Sequence, residues 1–402
     1  MQRKLEEVKL GEFLVEMEEL ARPAQGSVTQ LCADETIGAG MAKLREACIL
    51  SAPVVSVRSG PWQMPHAPSF ISFLDVADFV FAFISGLRPA LKQPHALDDP
   101  AKRDEARVEL VQAAEEFSAR TLLSVWPAND GDVLHTGYVS GASLATLISS
   151  GFLRPMTGVK VCHRLGIFRY GCDAEQAEER DDNEGIEFLR VVSQMDVIRY
   201  FDRHRGDVPE IGTFLATSVR ELLGLGHAGH TLKNVEGRRE VVTCTSDTIA
   251  LHAFQQMLAE SVSCLGVVES KRAMHPKGSK GSLIASLALS DLVGLTPDCF
   301  DDLLLPAAAF ARRMAANATD ESALNIPHVS PDDPLGRAIH IMSTRGVHHV
   351  WVLEDEPSGH IADDHGPGGH PKTDIPVAVI TPTDIMRMCE VQNSPSLWGG
   401  SS

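Results

Sequence analysis

The sequence predicts an α/β (α+β) protein built from four copies of one β-α-β-β-α unit. The first observation is a shared ending, in which a short apolar strand leads to an aspartate that opens an apolar helix. It occurs in FISFLDVADFVFAFI (70–84), FLRVVSQMDVIRYF (188–201), LIASLALSDLVGL (283–295) and PVAVITPTDIMRMC (376–389). The second observation is the spacing of the closing acids, which lie 118, 95 and 93 residues apart. Such intervals suit small α/β units and are too long for helical solenoids. The closing acids are Asp78, Asp196, Asp291 and Asp384.

The third observation is that the repeats also agree upstream of this ending. In each repeat a polar stretch leads into an amphipathic helix and then an apolar strand. The helices and strands are ADETIGAGMAKLREA with CILSAPVVSV, SGASLATLISSG with VKVCHRLGIF, TSDTIALHAFQQMLAES with VSCLGVVES, and SPDDPLGRAIHIMSTRG with VHHVWVLED. The polar stretches supply candidate N-caps, namely Asp34, Ser246 with Asp247, and Asp332 with Asp333.

These repeats account for almost the whole chain. They predict unit 1 at residues 20–90, unit 2 at 115–205, unit 3 at 213–300 and unit 4 at 305–392. We expect a helical extension at 1–19, a charged linker that turns into an amphipathic helix at 91–114, and a disordered tail at 393–402. Because the repeats use up the chain, no room remains for a separate catalytic domain.

Composition and charge limit which partners the protein can bind and in which cellular compartment it is expected. A formal net charge of −18 argues against binding to nucleic acid or to an anionic membrane. No apolar run reaches the length of a bilayer span, and the charged N-terminus lacks the apolar core of a signal peptide. The eight cysteines form no C-x-x-C pair, which argues against zinc and against a disulfide framework. We expect a cytoplasmic protein, with the nucleus as the alternative.

A polar loop of variable length joins the last two strands of each unit. The loop of unit 4 spaces His360, His365 and His370 five residues apart, which raises the question of a metal site. Its glycine, proline and aspartate residues are more typical of a mobile linker. We therefore predict no metal site.

A unit that closes on strand–x–x–Asp–helix resembles the cystathionine-beta-synthase (CBS) domain. Four such units in one chain resemble the gamma-type regulatory subunits of AMP-activated and SNF-type protein kinases. The likeness covers roughly residues 20–392 and is most specific at the second strand of units 2, 3 and 4. There the family tends to read V/I-H-R-L-P-V, V-S-A-L-P-V-V and V-H-R-L-V-V-V, and this chain reads VCHRLGIF (161–168), VSCLGVVE (262–269) and VHHVWVLE (347–354).

The resemblance implies an architecture. Units 1 and 2, and units 3 and 4, would form two tandem CBS-pair (Bateman) modules. The two modules would assemble into a pseudo-symmetric disc whose ligand clefts face the centre.

The resemblance also implies which side chains hold phosphate. In that family the second-strand residues grip the phosphates of adenine nucleotides, and the matching positions are His163, Arg164, Ser263, His348 and His349. Arginine offers charged forked donors, protonated histidine a titratable charge, and serine a neutral donor. Because adjacent strand residues point to opposite faces, we expect at most one of His348 and His349 in the cleft.

The closing acids are implied to bind both ribose hydroxyls, with a Ser or Thr three residues earlier lining the pocket. Two repeats keep both elements and two lack the hydroxyl. The pairs are Ser193 with Asp196, Thr381 with Asp384, Ala288 with Asp291, and Asp75 with Asp78. An aspartate that opens a helix is also a good N-cap without any ligand, so a purely structural role stays open.

Three departures from the gamma pattern affect this assignment. Leu50 stands where the first unit of the family has an arginine, and His349 stands where the fourth unit has one. Asp196 supplies an acid that the second unit of the family usually lacks. The number of occupied clefts and the preference among AMP, ADP and ATP therefore stay open.

Three classes of function compete. The first is a non-catalytic regulatory subunit that needs no cofactor, binds AMP, ADP or ATP as regulatory ligands, and contacts kinase catalytic or scaffold subunits. A homodimer is the alternative to a kinase complex. The second is a CBS scaffold with weak or no nucleotide binding, which acts through protein contacts. An enzyme is disfavoured because the sequence has no P-loop, nucleophile elbow, dinucleotide fingerprint or H-E-x-x-H motif.

Overall fold

The computed structural model describes residues 1–20, 29–47, 49–56, 69–92, 100–125, 142–153, 163–170, 186–224, 241–269, 281–294, 297–317, 326–355 and 374–391. The expected tail at 393–402 lies outside these residues, as does the loop that carries His360, His365 and His370.

The first half of the chain contains units 1 and 2. The helices and strands are α1 (Gln2–Glu7), α2 (Leu10–Leu20), β1 (Leu31–Cys32), α3 (Ile37–Glu46), β2 (Ser51–Ser56), β3 (Ser69–Asp75), α4 (Val76–Gly86), α5 (Pro100–Ser118), α6 (Leu144–Thr146), β4 (Arg164–Tyr170), β5 (Ile186–Ser193) and α7 (Gln194–Arg203). Short 3₁₀ helices lie at Pro89–Lys92 and Leu122–Val125, and a π-helical turn at Leu147–Phe152 continues α6.

The second half contains units 3 and 4. The helices and strands are α8 (Pro209–Ala216), α9 (Val219–Leu222), β6 (Thr243–Thr245), α10 (Ala250–Ala259), β7 (Cys264–Val268), β8 (Leu283–Ala288), α11 (Ala307–Asn317), β9 (His328–Val329), α12 (Leu335–Arg345), β10 (Val350–Asp355), β11 (Asp374–Ile380) and α13 (Pro382–Val391). Two 3₁₀ helices, Leu289–Gly294 and Pro297–Leu304, follow β8.

Each unit is built around one small sheet. In units 1, 3 and 4 the first strand is parallel to the second, and the second is antiparallel to the third. Within the described part of unit 2, β4 and β5 form the same antiparallel pair. Alternate side chains of the middle strands, such as Val54, Leu165, Leu265 and Val352, are buried towards the helices. The opposite face of each sheet is therefore left for another unit.

Helices of different halves of the chain share two hydrophobic cores. One core joins unit 1 to unit 3, where the rings of Phe83 and Phe300 meet edge to face at 4.8 Å. The other core joins unit 2 to unit 4 and also buries α2, whose Phe13 contacts Tyr200 at 5.5 Å. Aromatic pairs of this geometry add stability beyond the area they bury. Neither core belongs to one half of the chain.

The sheets pair differently from the helices. Arg164 of unit 2 bonds to Ser51 of unit 1, and Trp351 of unit 4 lies in an apolar cluster with Cys264 of unit 3. We call units 1 and 2 module 1, and units 3 and 4 module 2. Sheet contacts within modules and helix contacts between modules connect the four units as a ring in the order 1, 2, 4, 3.

Four connecting segments are exchanged within the modules. The segment just before or at the start of each unit bonds to the start of the helix that follows the first strand in the other unit of its module. The bonds that these segments accept are Leu144 N to Val8 O, Ile37 N to Arg120 O, Leu335 N to Thr217 O and Ala250 N to Leu305 O, at 2.8–2.9 Å. This reciprocal exchange ties the two units of each module together through their backbones.

The helix starts correct the expected N-caps. Thr36, not Asp34, caps α3 by accepting a bond from the Ala39 amide. Ile249 and Pro334 precede α10 and α12, and neither provides a side-chain cap. The acids expected there lie one or more residues too early, because the turn before each helix is longer than the sequence pattern indicates.

Candidate functional site

The predicted phosphate-binding residues lie at the entrance to the middle strand of each sheet. A common backbone bond defines the position: the carbonyls of Leu50, His163 and Ser263 accept from the amides of Val76, Gln194 and Leu289, respectively, at 2.8–3.0 Å. In unit 4 the donor position is occupied by Pro382, which has no amide hydrogen.

In unit 4 the strand starts later than the sequence indicates. VHHVWVLED reads as one strand, but β10 begins at Val350, so His348 and His349 precede it. Since Val350 lies opposite Ile380, His349 lies opposite Thr381, as Arg164 lies opposite Ser193 in unit 2. His349 and Arg164 are therefore equivalent, and so are His348 and His163.

All four closing acids hold the start of their own helix. One carboxylate oxygen of each accepts the amide three residues earlier, at 2.8–2.9 Å. The bonds are Asp75 N to Asp78, Ser193 N to Asp196, Ala288 N to Asp291 and Thr381 N to Asp384. The acids lie inside the first turn, not at the N-cap, and this is one half of a capping box.

The two hydroxyls expected to line pockets bond to the same acids. Ser193 Oγ donates to Asp196 Oδ2 at 2.8 Å, and Thr381 Oγ1 donates to Asp384 Oδ2 at 2.5 Å. Charge-assisted bonds of this kind fix the carboxylate in one rotamer. In each case Oδ2 accepts the bonds from the residue three positions earlier, and Oδ1 points away from them.

Arg164 reaches from unit 2 into unit 1. Its guanidinium bonds to Ser51 Oγ and lies 3.7 Å from Asp75 Oδ2. Burial lowers the pKa of Arg164, while the charges of Asp75 and Asp196 act in the opposite direction. Burial also raises the pKa of Asp75, opposed by its bond from the Ala77 amide and by Arg164. This half-buried ion pair joins the two sheets of module 1.

His348 brings unit 4 to the same place. Its pKa is lowered to about 4, mainly by burial and also by the nearby positive charges of Arg164 and His163. Its side chain is nevertheless exposed to solvent, as is that of His163. The side chains of His163, Arg164 and His348 therefore lie close to one another between units 2 and 4, and we refer to this place as the hollow.

The wall of this hollow includes a polar contact between helix starts. Thr383 Oγ1 donates to Gln194 Oε1 at 3.0 Å, and both side chains are buried. His163 Nδ1 lies 3.4 Å from the same amide oxygen. The first turns of α7 and α13, which carry Asp196 and Asp384, therefore meet beside the histidine.

His349 points elsewhere. Its Nε2 lies 3.0 Å from Ser286 Oγ of unit 3, and its ring meets Trp351 edge to face at 6.2 Å. Burial lowers the pKa of His349 to about 4, so the ring is neutral near pH 7. It joins the two sheets of module 2, as Arg164 does in module 1.

The acids of module 2 lie around Cys264. Burial raises the pKa of this thiol to about 12, and the negative charges of Asp291 and Asp384 add to the effect. Burial likewise raises the pKa of Asp291 to about 6, opposed by its bond from the Ala288 amide. Ser263, the predicted hydroxyl donor, lies next to Cys264 in the chain and is exposed.

The sequence pattern did not identify the residues that join different units. They are Ser51, Asp75, Gln194, Thr383 and Ser286. Asp75 carries a signal, since it occupies the repeat position of Ser193 and Thr381. The others carry none, because their partners lie in a different unit.

Two absences concern the described residues alone. None of the helices among them is long and apolar enough to cross a membrane. Within the same ranges, no three His, Cys, Asp or Glu side chains come together in a way that would hold a metal ion.

Comparison with known proteins matches part of unit 4 to a known family. Residues 322–363, in unit 4, match the family model of the CBS domain. The chain is 30% identical over 118 residues to an Arabidopsis thaliana protein described as "SNF1-related protein kinase regulatory subunit gamma-1-like". That match spans 28% of this chain and 24% of the relative, so the chain covers about a quarter of the curated protein it matches.

The fold has a relative of known structure over almost its whole length. Protein MJ1225 from Methanocaldococcus jannaschii, described as a candidate archaeal homolog of g-AMPK, aligns with a TM-score of 0.51 at 13% identity. The alignment covers 92% of this chain and 98% of that one. The predicted α/β fold of paired CBS units and the predicted resemblance to gamma-type proteins are confirmed.

A further structure is similar over a smaller part. CBS domain protein PAE2072 from Pyrobaculum aerophilum, complexed with AMP, aligns with a TM-score of 0.25 at 17% identity, over 42% of this chain and 89% of that one. A similarity of this size supports no argument about the ligand of the present chain.

Proposed function

We propose that this chain is a non-catalytic regulatory subunit that binds adenine nucleotides between its units and signals their presence to a protein kinase. The observation that carries the proposal is the convergence of His163 and Arg164 from unit 2 with His348 from unit 4 on one hollow. Three basic side chains from two modules suit a phosphate group, because arginine offers it charged forked donors and each histidine a ring N–H donor.

Phosphate binding would change the charge of the hollow. Arg164 is charged throughout the physiological pH range, whereas His348 is neutral with a pKa of about 4. A bound phosphate would raise the pKa of His348 by attraction of opposite charges. Binding would then be tighter at pH 6 than at pH 8 and would take up protons.

Ribose binding would use the carboxylate oxygens that accept no hydrogen bond from the first turn of their own helix. The Oδ1 atoms of Asp196 and Asp384 are turned away from the cap bonds, although Asp196 Oδ1 also accepts from Arg199 at 3.1 Å. A carboxylate oxygen has more than one acceptor site, so it can accept from a diol hydroxyl and from a guanidinium together. An acid that binds ribose would then serve as cap and as ligand at the same time.

Regulation would follow from the ring of units. A nucleotide that touches units 2 and 4 favours their closed arrangement only if it binds that arrangement better than others. The likeness to a kinase regulatory subunit makes kinase catalytic or scaffold subunits the proposed partners, in the cytoplasm. A homodimer remains the alternative assembly.

The test is calorimetric titration with AMP, ADP, ATP and S-adenosylmethionine. We expect wild-type protein to bind an adenine nucleotide, and at least one of Asp196→Asn and Asp384→Asn to weaken binding roughly 10- to 100-fold through loss of a charged acceptor. The matched control is Asp333→Asn, because Asp333 caps a turn through the Ser330 amide at 2.7 Å but lies away from the hollow. Binding unaffected by both site variants would contradict the ribose role.

A second candidate function is a CBS scaffold that binds no nucleotide. It is favoured by Arg164, whose guanidinium is already bonded to Ser51 and close to Asp75. Leu50 also removes a donor that gamma-type proteins have. Absence of heat with all four ligands at millimolar concentration would favour this function over the first.

A further inference from the structure

The two modules differ at the face where their sheets meet. In module 2, Trp351 points from β10 towards unit 3 and is only 1% exposed. It forms a buried cluster with side chains from both sheets, namely Cys264, Leu283, Ala288 and Leu353. The indole therefore fills the space between the sheets of units 3 and 4.

Polar bonds fix the indole in this place. Trp351 Nε1 donates to Ser286 Oγ at 3.0 Å, and His349 Nε2 lies 3.0 Å from the same hydroxyl. Ser286 is the cross-strand neighbour of Gly266, and a Cβ atom at Gly266 would lie 3.3 Å from the indole Cη2. The ring thus lies over a glycine, with its N–H bonded to the hydroxyl beside it.

Module 1 has no such ring at the same position. The equivalence of Arg164 and His349 makes Gly166 the counterpart of Trp351. The neighbouring residues on this face, Phe73 of unit 1 and Val191 of unit 2, are only partly buried. Among the side chains that the structure describes here, no buried apolar cluster links the two sheets as in module 2.

An indole with a bonded N–H resembles a bound purine. Both are flat bicyclic rings that need apolar surfaces on their faces and one polar partner at their edge. Trp351 has those surfaces, and Ser286 is the polar partner. The carboxylate of Asp291 in the same module is also shielded from solvent, since burial raises its pKa to about 6. This agrees with a cleft that is already filled.

We propose that Trp351 is a built-in occupant of the cleft between units 3 and 4, so that an adenine nucleotide enters module 1 and is excluded from module 2. This inference rests on the proposed function. Module 2 then serves as a rigid support that contributes His348 to the phosphates, while module 1, where Gly166 carries no side chain, takes the base.

The first test compares equivalent acids in the two modules by calorimetry with AMP. Asp196→Asn is expected to weaken binding roughly 10- to 100-fold, whereas Asp384→Asn leaves the dissociation constant within about twofold of wild type. Trp351→Gly, which copies Gly166, is expected to add a second binding event that disappears when Asp384→Asn is combined with it. Trp351→Val is the milder variant if the glycine protein unfolds.

A second measurement needs no nucleotide. In a protein with Trp62, Trp126 and Trp398 changed to Phe, emission from Trp351 should resist acrylamide quenching. Quenching close to that of free tryptophan would overturn the inference.

The outcomes separate the two proposals. AMP binding that depends on Asp384 and not on Asp196 overturns the inference and leaves the proposed function standing. Absence of AMP binding in wild type and in both Trp351 variants overturns both.

Discussion

At the scale of single residues, the four closing acids show how one side chain can support structure and ligand at once. Each gives one oxygen to its own helix start, at nearly the same distance. Their surroundings differ, because Asp196 is bonded to Arg199 whereas Asp291 adjoins buried Cys264. Acids at the same position in the repeat therefore differ in how much their ionisation destabilises the folded protein.

Asp291 makes stability depend on pH. Burial raises its pKa to about 6 from an ordinary value of 3.8. Between these values the folded protein keeps a proton that the unfolded chain has lost. The resulting stabilisation is complete below about pH 3.8 and is lost as pH rises through about 6. A pKa difference of this size corresponds to at most about 3 kcal/mol.

Asp291→Asn should remove this dependence. The amide oxygen still accepts from Ala288, so the variant should be more stable than wild type at pH 7.5 and nearly equal to it at pH 4. Urea denaturation at both pH values measures the difference. Asp291→Ala is the control, because it also loses the cap bond and should be about 1 kcal/mol less stable than the asparagine variant. An equal effect of Asn at both pH values would contradict the role of burial.

At the scale of helices and strands, the repeat could be recognised because each unit closes with the same local chemistry. A strand followed by an acid three residues into a helix is fixed by bonds within four residues, so the sequence indicates it directly. The strand start at Val350 was not predictable. His348 and His349 follow a strand-like pattern, but they leave the sheet to contact other units.

The capping box of α7 gives a prediction at this scale. Ser193 Oγ accepts from the Asp196 amide and donates to its carboxylate. Ser193→Ala should destabilise the protein by about 1 kcal/mol, as measured by urea denaturation. Ser193→Thr keeps both bonds and should lie close to wild type. If both variants were as stable as wild type, the helix start would not depend on this side chain.

At the scale of the whole molecule, the cores cross the boundary between the modules. Unit 1 shares its core with unit 3, and unit 2 shares its core with unit 4. The sequence predicted which units follow one another but not which helices meet, because hydrophobic periodicity identifies an apolar face without identifying its partner. The unit boundaries drawn from the repeats remain predictions.

Shared cores predict that half of the chain does not fold alone. A fragment of residues 1–205 would expose Phe79, Phe83 and Phe201, which are buried in the full chain. Apolar surface of this extent promotes association. We expect sedimentation velocity to show dimers or larger species, and the full chain to unfold in one cooperative transition. A monomeric fragment that melts at the temperature of the full chain would contradict the shared cores.

The exchanged connecting segments have a consequence for how such a chain can change over evolution. The segment in front of each unit bonds to that unit's neighbour in the module, and the neighbour's segment returns the contact. Loss of a single repeat would leave one helix start without its backbone acceptor and one segment without a place to bind. Repeats of this kind are therefore expected to be gained and lost two at a time.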